Sequence, residues 1–197
     1  MKIPFTPVLL AVSAAVLSAC SSTPSTSGAP PASSTAPTAA PGAVSTAKAA
    51  NVNLASASAS LVSGRLSVVP MRDGVHLTGE VGGLAPNSTH AIHIHEKGDC
   101  SAADASSAGG HFNPAGAPHG KVDSGAHHGG DMNNIVADAE GVARVDVHAS
   151  GVTLGGGAAN DVAGRAVIVH AAPDDYKTQP TGNAGGRIAC GIITVTQ

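Results

Sequence analysis

Residues 90–131 read HAIHIHEKGDCSAADASSAGGHFNPAGAPHGKVDSGAHHGGD and hold seven of the ten histidines in this 197-residue chain. A neutral imidazole nitrogen is a borderline-soft donor suited to zinc and copper. His93 and His95 sit in the alternating run Ala91-Ile92-His93-Ile94-His95. On a strand the two histidines share one face and Ile92 and Ile94 the other. The isoleucines then fill a core while the imidazoles supply half of a square-planar Cu(II) ligand set. His111, His119, His128 and Asp131 follow on a Pro/Gly-rich stretch, and three imidazoles with one carboxylate suit a tetrahedral zinc site. Two same-face histidines alone are ordinary polar decoration on a strand; the two groups together are not.

The elements that must position these groups read as short strands. Ser60 to Val69 partly alternates, Asp73-Gly74 signals a turn, and Val75 to Val81 alternates cleanly, so the two runs predict a hairpin. A strand is expected over His90–His95. Asn133 to Val136 and Val142 to Val147 flank Glu140-Gly141 as a further strand pair. Ala166 to His170 reads as a buried strand ending on a histidine, and Arg187 to Val195 as the last one. Strands at this spacing, with no long helical period, indicate an antiparallel sandwich or barrel. Aromatic residues are confined to Phe5, Phe112 and Tyr176, so the core must be built from Val, Ile, Leu and Ala.

Net charge is −3, which gives no reason to expect nucleic acid as a partner. Lys2 and Lys48 are the only charges before residue 51, leaving eight basic and thirteen acidic side chains, net −5, for the remainder. An anionic substrate therefore needs local attraction. Residues 1–20 have the form of an export signal: Lys2, an apolar run from Val8 to Leu17 too short to span a bilayer, then Leu17-Ser18-Ala19-Cys20. That tetrapeptide resembles the bacterial lipobox, with an ordinary cleaved signal and a chance cysteine as the alternative. Residues 21–52 are dominated by Ser, Thr, Ala, Pro and Gly and are expected to form a flexible tether, with the folded domain at 53–197.

Several motifs together resemble one family. They are H-x-H-E-x-G-D-C from His93 to Cys100, GGHFNP, PHG at 118–120, HGGD at 128–131, VHAAPDD at 169–175 and GNAGGRIACG at 182–191. In this order, over residues 55–197, they are similar to the bacterial copper/zinc superoxide dismutases, periplasmic and of lipoprotein type. The resemblance implies an eight-stranded antiparallel Greek-key β-barrel or sandwich, immunoglobulin-like, with two long loops carrying the metals and active site. It implies one copper per subunit on His93, His95, His111 and His170, and one zinc on His111, His119, His128 and Asp131, with His111 bridging. His128 rather than His127 fits the H-x-x-D spacing. Asp174, with Asp175 as competitor, is expected to link His93 to His119 behind the ligands. Arg187 is expected to guide the anion, with Lys97, Lys121 and Lys177 adding local positive potential.

The implied reaction converts superoxide to dioxygen and hydrogen peroxide through a Cu(II)/Cu(I) cycle in which His111 carries a proton. With Cys20 taken by lipid, Cys100 and Cys190 form an even pair in an exported domain, where a disulfide is expected. Cys20 would anchor the chain as an outer-membrane lipoprotein in the periplasm or cell envelope, defending it from oxidative damage; a homodimer is one assembly open to it. Sixteen residues separate His170 from Arg187. That is shorter than in eukaryotic members, whose Glu/Lys steering pattern is missing. His90 is expected to hydrogen-bond within the barrel, and His76 and His148 to lie on strand faces. A copper/zinc buffer or delivery lipoprotein would need the same ligands without Arg187 or Asp174, and an adhesion module would need no metal.

Overall fold

The computed structural model describes residues 43–197. The signal segment, Cys20 and the tether as far as residue 42 lie outside the described residues. Apart from a 3₁₀ turn at Ser106–Ala108, the regular elements are strands: β1 (Ala50–Ser56), β2 (Ser63–Pro70), β3 (Gly74–Gly82), β4 (Thr89–His90), β5 (Ile92–His95), β6 (Ile135–Val136), β7 (Ala143–Ser150), β8 (Ala166–His170), β9 (Arg187–Ile192) and β10 (Thr194–Val195). Single residues, Ala91 and Ile193, divide β4 from β5 and β9 from β10, so ten strands make eight runs. Among the described residues no helix is long and apolar enough to cross a membrane.

The strands pair antiparallel in the order β5-β8-β9-β1-β2-β3-β7, with β10 also on β1 and a separate β4-β6 pair. β1 is the corner: Ala50 and Asn51 pair with β10, whereas Ala55 and Ser56 pair with β9. Alternation drives the rest. Leu66 and Val68 on β2, Leu77 and Val81 on β3, and Val145 and Val147 on β7 point inward into one aliphatic core, which among the described residues Phe112 alone enters as an aromatic residue. Truncating a fully buried member such as Leu77 to Ala costs about 2–5 kcal/mol.

Three sequence expectations change. The end of the expected tether, 21–52, is part of the fold: β1 already begins at Ala50, with Val52 and Leu54 in the core and Asn51 and Asn53 outward. Residues just before it are also tied in: the Thr46 and Ala47 amides donate to Leu154 O, both at 3.0 Å. The single strand over 90–95 is two short strands in different sheets, because β4 pairs with β6 while β5 pairs with β8. β6 and β7 are not a ladder pair. Apart from an isolated bridge, Ala137 to Ala143, β7 pairs with β3. The Asp138 carboxylate, accepting from the Glu140 and Val142 amides at 3.0 and 2.9 Å, closes the turn between them.

Two loops cover the outer face of β5 and β8. Residues 96–134 join β5 to β6, and residues 171–186 join β8 to β9. The first loop has its own small apolar cluster, in which Ala105 and Ala108 meet Ala166, Ile168 and Cys190. A Cys100–Cys190 disulfide, spanning 90 residues of sequence, pins that loop to β9. Where β8 meets β9 the register slips between Val169 and His170, which places His170 opposite Arg187. Such a bulge re-aims a side chain at the end of a strand, and here it brings the last imidazole and the guanidinium to one place.

Candidate metal centre

His93 and His95 leave β5 on the face away from the core, and Ile92 and Ile94 fill the core, as the alternation requires. The imidazoles do not reach solvent, because the two loops close over them: His93 is 0% and His95 1% exposed. The loop carrying His111, His119, His128 and Asp131 folds back onto β5. The Phe112 amide donates to Ile94 O, the Ile94 amide to Gly130 O and the Gly130 amide to Phe112 O, at 2.8, 2.9 and 2.8 Å. A Cβ at position 130 would collide with the Ile94 carbonyl oxygen, so this contact requires glycine.

Two sets of converging donors result, His93, His95, His111 and His170 in one and His111, His119, His128 and Asp131 in the other, each with its ligand atoms within 4.8 Å of one another. His111 belongs to both. In the second set Asp131 Oδ1 lies 2.9 Å from His111 Nδ1, 3.0 Å from His119 Nδ1 and 3.3 Å from His128 Nδ1. His111 Nδ1 and His128 Nδ1 are 3.4 Å apart. Donors about 2.0–2.1 Å from a tetrahedral zinc stand about 3.3 Å from each other, so these separations fit that ion.

In the first set the hydrogen-bond acceptors fix the tautomers. His93 Nε2 donates to Asp174 Oδ2 and His95 Nδ1 to Gly109 O, both at 2.9 Å, and His170 Nδ1 faces Gly185 O at 3.4 Å. The lone pairs left over are on His93 Nδ1, His95 Nε2 and His170 Nε2. The last two face each other at 3.4 Å, while His93 Nδ1 and His111 Nε2 are buried with no partner among the described residues. Buried polar atoms are rarely orphaned. Four imidazole nitrogens with free lone pairs turned inward make a donor set that fits copper.

Burial and hydrogen bonding act differently on the rings of the two sets. Burial lowers His95, against a hydrogen bond to Gly109 O and with help from the neighbouring His111, His170 and Arg187, to about 2. Burial and the neighbouring His93 lower His170 to about 3. His111 falls to about 4 through burial, although its hydrogen bond to Asp131 pulls the other way. These three rings stay neutral, the form that binds metal. Burial would lower His119 as well, but hydrogen bonds to Asp131 and Asp174 outweigh it and raise the ring to about 9. Burial would raise Asp131, yet bonds from His111, His119, His128 and the Gly120 amide hold it well below the usual carboxylate range.

Asp174, not Asp175, joins the two sets: Oδ2 takes His93 Nε2 and Oδ1 takes His119 Nε2, both at 2.9 Å. Asp175 instead caps a turn, accepting the Lys177 and Thr178 amides. His128 joins the centre, whereas His127 bonds to Ser150 Oγ at 2.9 Å. Arg187 donates from Nη1 to Ala105 O at 2.6 Å and from Nη2 to Gly109 O at 2.5 Å. His90 Nδ1 holds the His170 carbonyl at 2.8 Å, a bond within the barrel. Lys121 stacks over the Tyr176 ring at 5.5 Å from its centroid, and Lys97 and Lys177 are exposed.

Several supporting residues carried no signal in the sequence. Asn134 exchanges two bonds with the Asp174 backbone, 2.8 and 2.9 Å, and its own amide donates to Tyr176 Oη at 2.9 Å. Gln179 does the same to His119, accepting its amide at 2.8 Å and donating to its carbonyl at 2.9 Å. Gly182, at positive φ, lets the chain pass so close to the Asp174–His119 bond that a Cβ would strike both groups.

An all-β barrel carrying two buried donor sets that share one imidazole defines a two-metal protein. The sequence profile of copper/zinc superoxide dismutase matches residues 62–193. The chain belongs to the copper/zinc superoxide dismutase family. It is 45% identical over 129 residues to copper-zinc superoxide dismutase 2 of Aquifex aeolicus (strain VF5), covering 64% of this chain and 75% of that one. It is 45% identical over 125 residues to the Caulobacter vibrioides enzyme, covering 61% and 71%. Among solved structures, a double mutant of a superoxide dismutase-like protein from Bacillus subtilis matches at 36% identity and TM-score 0.66, covering 73% of this chain and 96% of that one. The clock protein EA4 matches at 35% identity and TM-score 0.67, covering 79% and 99%. Since proteins of other description share the barrel, the site and not the fold carries the chemistry.

Proposed function

We infer that copper is held by His93, His95, His111 and His170, and zinc by His111, His119, His128 and Asp131, one ion of each per chain. The activity is that of the family, dismutation of superoxide to dioxygen and hydrogen peroxide. The observation that supports the residue assignment is His111, whose Nε2 is an orphan in one set while Nδ1 meets Asp131 in the other. When bound, copper supplies one-electron cycling and zinc a fixed positive charge beside the bridging ring.

The chain's own groups do the rest. Arg187, clamped by two carbonyls beside His95, presents the remaining edge of a permanently charged fork to a small anion. His111 Nε2 is the atom that would take up a proton from solvent and give it to the peroxide product, while its Nδ1, beside Asp131 Oδ1, stays in the second donor set. Asp174 fixes the tautomers of His93 and His119. The loops exclude all but small molecules, leaving His111 7% exposed. The test is metal analysis with a superoxide-consumption assay on residues 43–197. One copper and one zinc with full activity, and loss of activity in His111→Ala, support the assignment; activity retained in His111→Ala overturns it.

The chain is further proposed to be lipidated at Cys20 and held at the outer membrane of a bacterial cell envelope, which it protects. The lipobox-like Leu17-Ser18-Ala19-Cys20 and the disulfide support this. Acyl labelling of the wild-type chain that disappears in Cys20→Ser, with release of the protein into the soluble fraction, is the expected result.

A further inference from the structure

His119 is held from two sides by the loop that joins β8 to β9. Its ring is held by Asp174, whose Oδ1 accepts from Nε2 at 2.9 Å. Its backbone is held by Gln179: Oε1 accepts the His119 amide at 2.8 Å, and Nε2 donates to the His119 carbonyl at 2.9 Å. Neither backbone group has another hydrogen-bond partner among the described residues. His119 is only 3% exposed, so without Gln179 a buried N–H and a buried C=O would both stand unpaired. The other donors of the second set do not lean on that loop. The Phe112 amide, next to His111, donates to Ile94 O, and the Gly130 amide, next to Asp131, donates to Phe112 O. The His128 amide donates to Asp131 Oδ2 at 2.8 Å, and the Asp131 amide returns to His128 O at 3.1 Å.

We propose that Gln179 is a positioning residue for the second donor set: by clamping the His119 backbone it sets how tightly zinc is held, independently of copper. The inference rests on zinc occupying that set. Asp174 reaches a ring in each set, so its loss is felt by both metals. Gln179 reaches only His119, so its loss is felt by one. On the copper side, His93 and His95 stand on β5 and His170 on β8, where ladders fix the backbone. The clamp is itself braced. Asp175 Oδ1 accepts the Lys177 and Thr178 amides at 2.9 and 2.8 Å, and its Oδ2 takes the Thr178 hydroxyl at 2.6 Å. Gln179 Nε2 also reaches Lys177 O at 3.3 Å. The side chain is thus already aimed at His119 before an ion arrives.

The experiment is chelator competition for zinc and, separately, for copper in the wild-type chain, Gln179→Met and Gln179→Glu. Met has a similar length and bonds to neither backbone group, while Glu keeps an acceptor for the amide. Gln179 lies at the surface, so neither change opens a hole in the core. The zinc dissociation constant should rise about 10–100-fold in Gln179→Met and by less in Gln179→Glu, with copper affinity unchanged in both. Cobalt(II) bound in place of zinc should show shifted and weaker visible bands in Gln179→Met, because His119 no longer completes the tetrahedron. A general loosening of the fold would instead weaken both metals together. Zinc held as tightly in both variants as in the wild type, or copper weakened as much as zinc, overturns the proposal. A wild-type chain that binds no zinc overturns the site assignment and this inference with it.

Discussion

Arg187 and His95 share one acceptor: the Gly109 carbonyl takes Arg187 Nη2 at 2.5 Å and His95 Nδ1 at 2.9 Å. The guanidinium proposed to meet the anion and a ring proposed to hold the metal are thus referenced to the same atom. Replacing Arg187 by Ala removes the charge but leaves His95 its bond. The expected outcome is a fall in kcat/KM of about tenfold or more, in the range that electrostatic guidance supplies, with a flatter salt dependence. Assays at several ionic strengths, with copper and zinc content measured and found unchanged, check it.

Asp174 touches no metal-facing atom yet orients a ring in each set. Asp174→Asn keeps the shape but loses a charged acceptor for His93 or His119. Metal affinity should fall by about 10–100-fold, read by competition with a chelator of known strength.

Removing the metals should give a protein most stable near pH 6.5. His95, His170 and His111, lowered to about 2, 3 and 4, stay neutral in the folded chain, while unfolded imidazoles protonate below about 6.5. The unfolded state then binds more protons, and stability is lost as pH falls. His119, raised to about 9, acts in the opposite sense: its contribution is complete below about 6.5 and is lost as pH rises through 9. Zinc held by His119 as proposed would displace that ring's proton, so loading should abolish the alkaline decline. Melting curves of stripped and zinc-loaded protein from pH 4 to about 10 decide the matter.

The Cys100–Cys190 bridge closes a span of 90 residues, worth about 4–5 kcal/mol on a chain-entropy basis. Cys100→Ala with Cys190→Ala should lower stability by up to that amount. It should also loosen the loop that carries the Ala105 and Gly109 carbonyls. Denaturant unfolding gives the first effect, and faster amide exchange across residues 100–110 the second.

Much of the centre was legible because ligation depends on residue type and spacing. His93 and His95 announce their shared face by alternation, and His128 is separated from His127 by its distance to Asp131. The elements that went unread lack such a signal. β1 is Ala-Asn-Val-Asn-Leu-Ala-Ser, whose small and polar residues continue the tether composition, so Val52 and Leu54 alone mark it. The division of the 90–95 run at Ala91 follows from which strands lie on either side, a tertiary fact. Gln179 and Asn134 act by bonding to the backbone of residues 60 and 40 positions away. Any loop amide has the same local appearance.

Tyr176, seated between Asn134 and Lys121 on the loop that carries Asp174, is the only tyrosine in a chain that has no tryptophan. Fluorescence excited beyond the phenylalanine absorption band therefore arises from one phenol, and that phenol reports on the cover of the metal centre rather than on the barrel. Opening or closing of the cover can be followed optically in the untouched protein, with no dye and no engineered reporter.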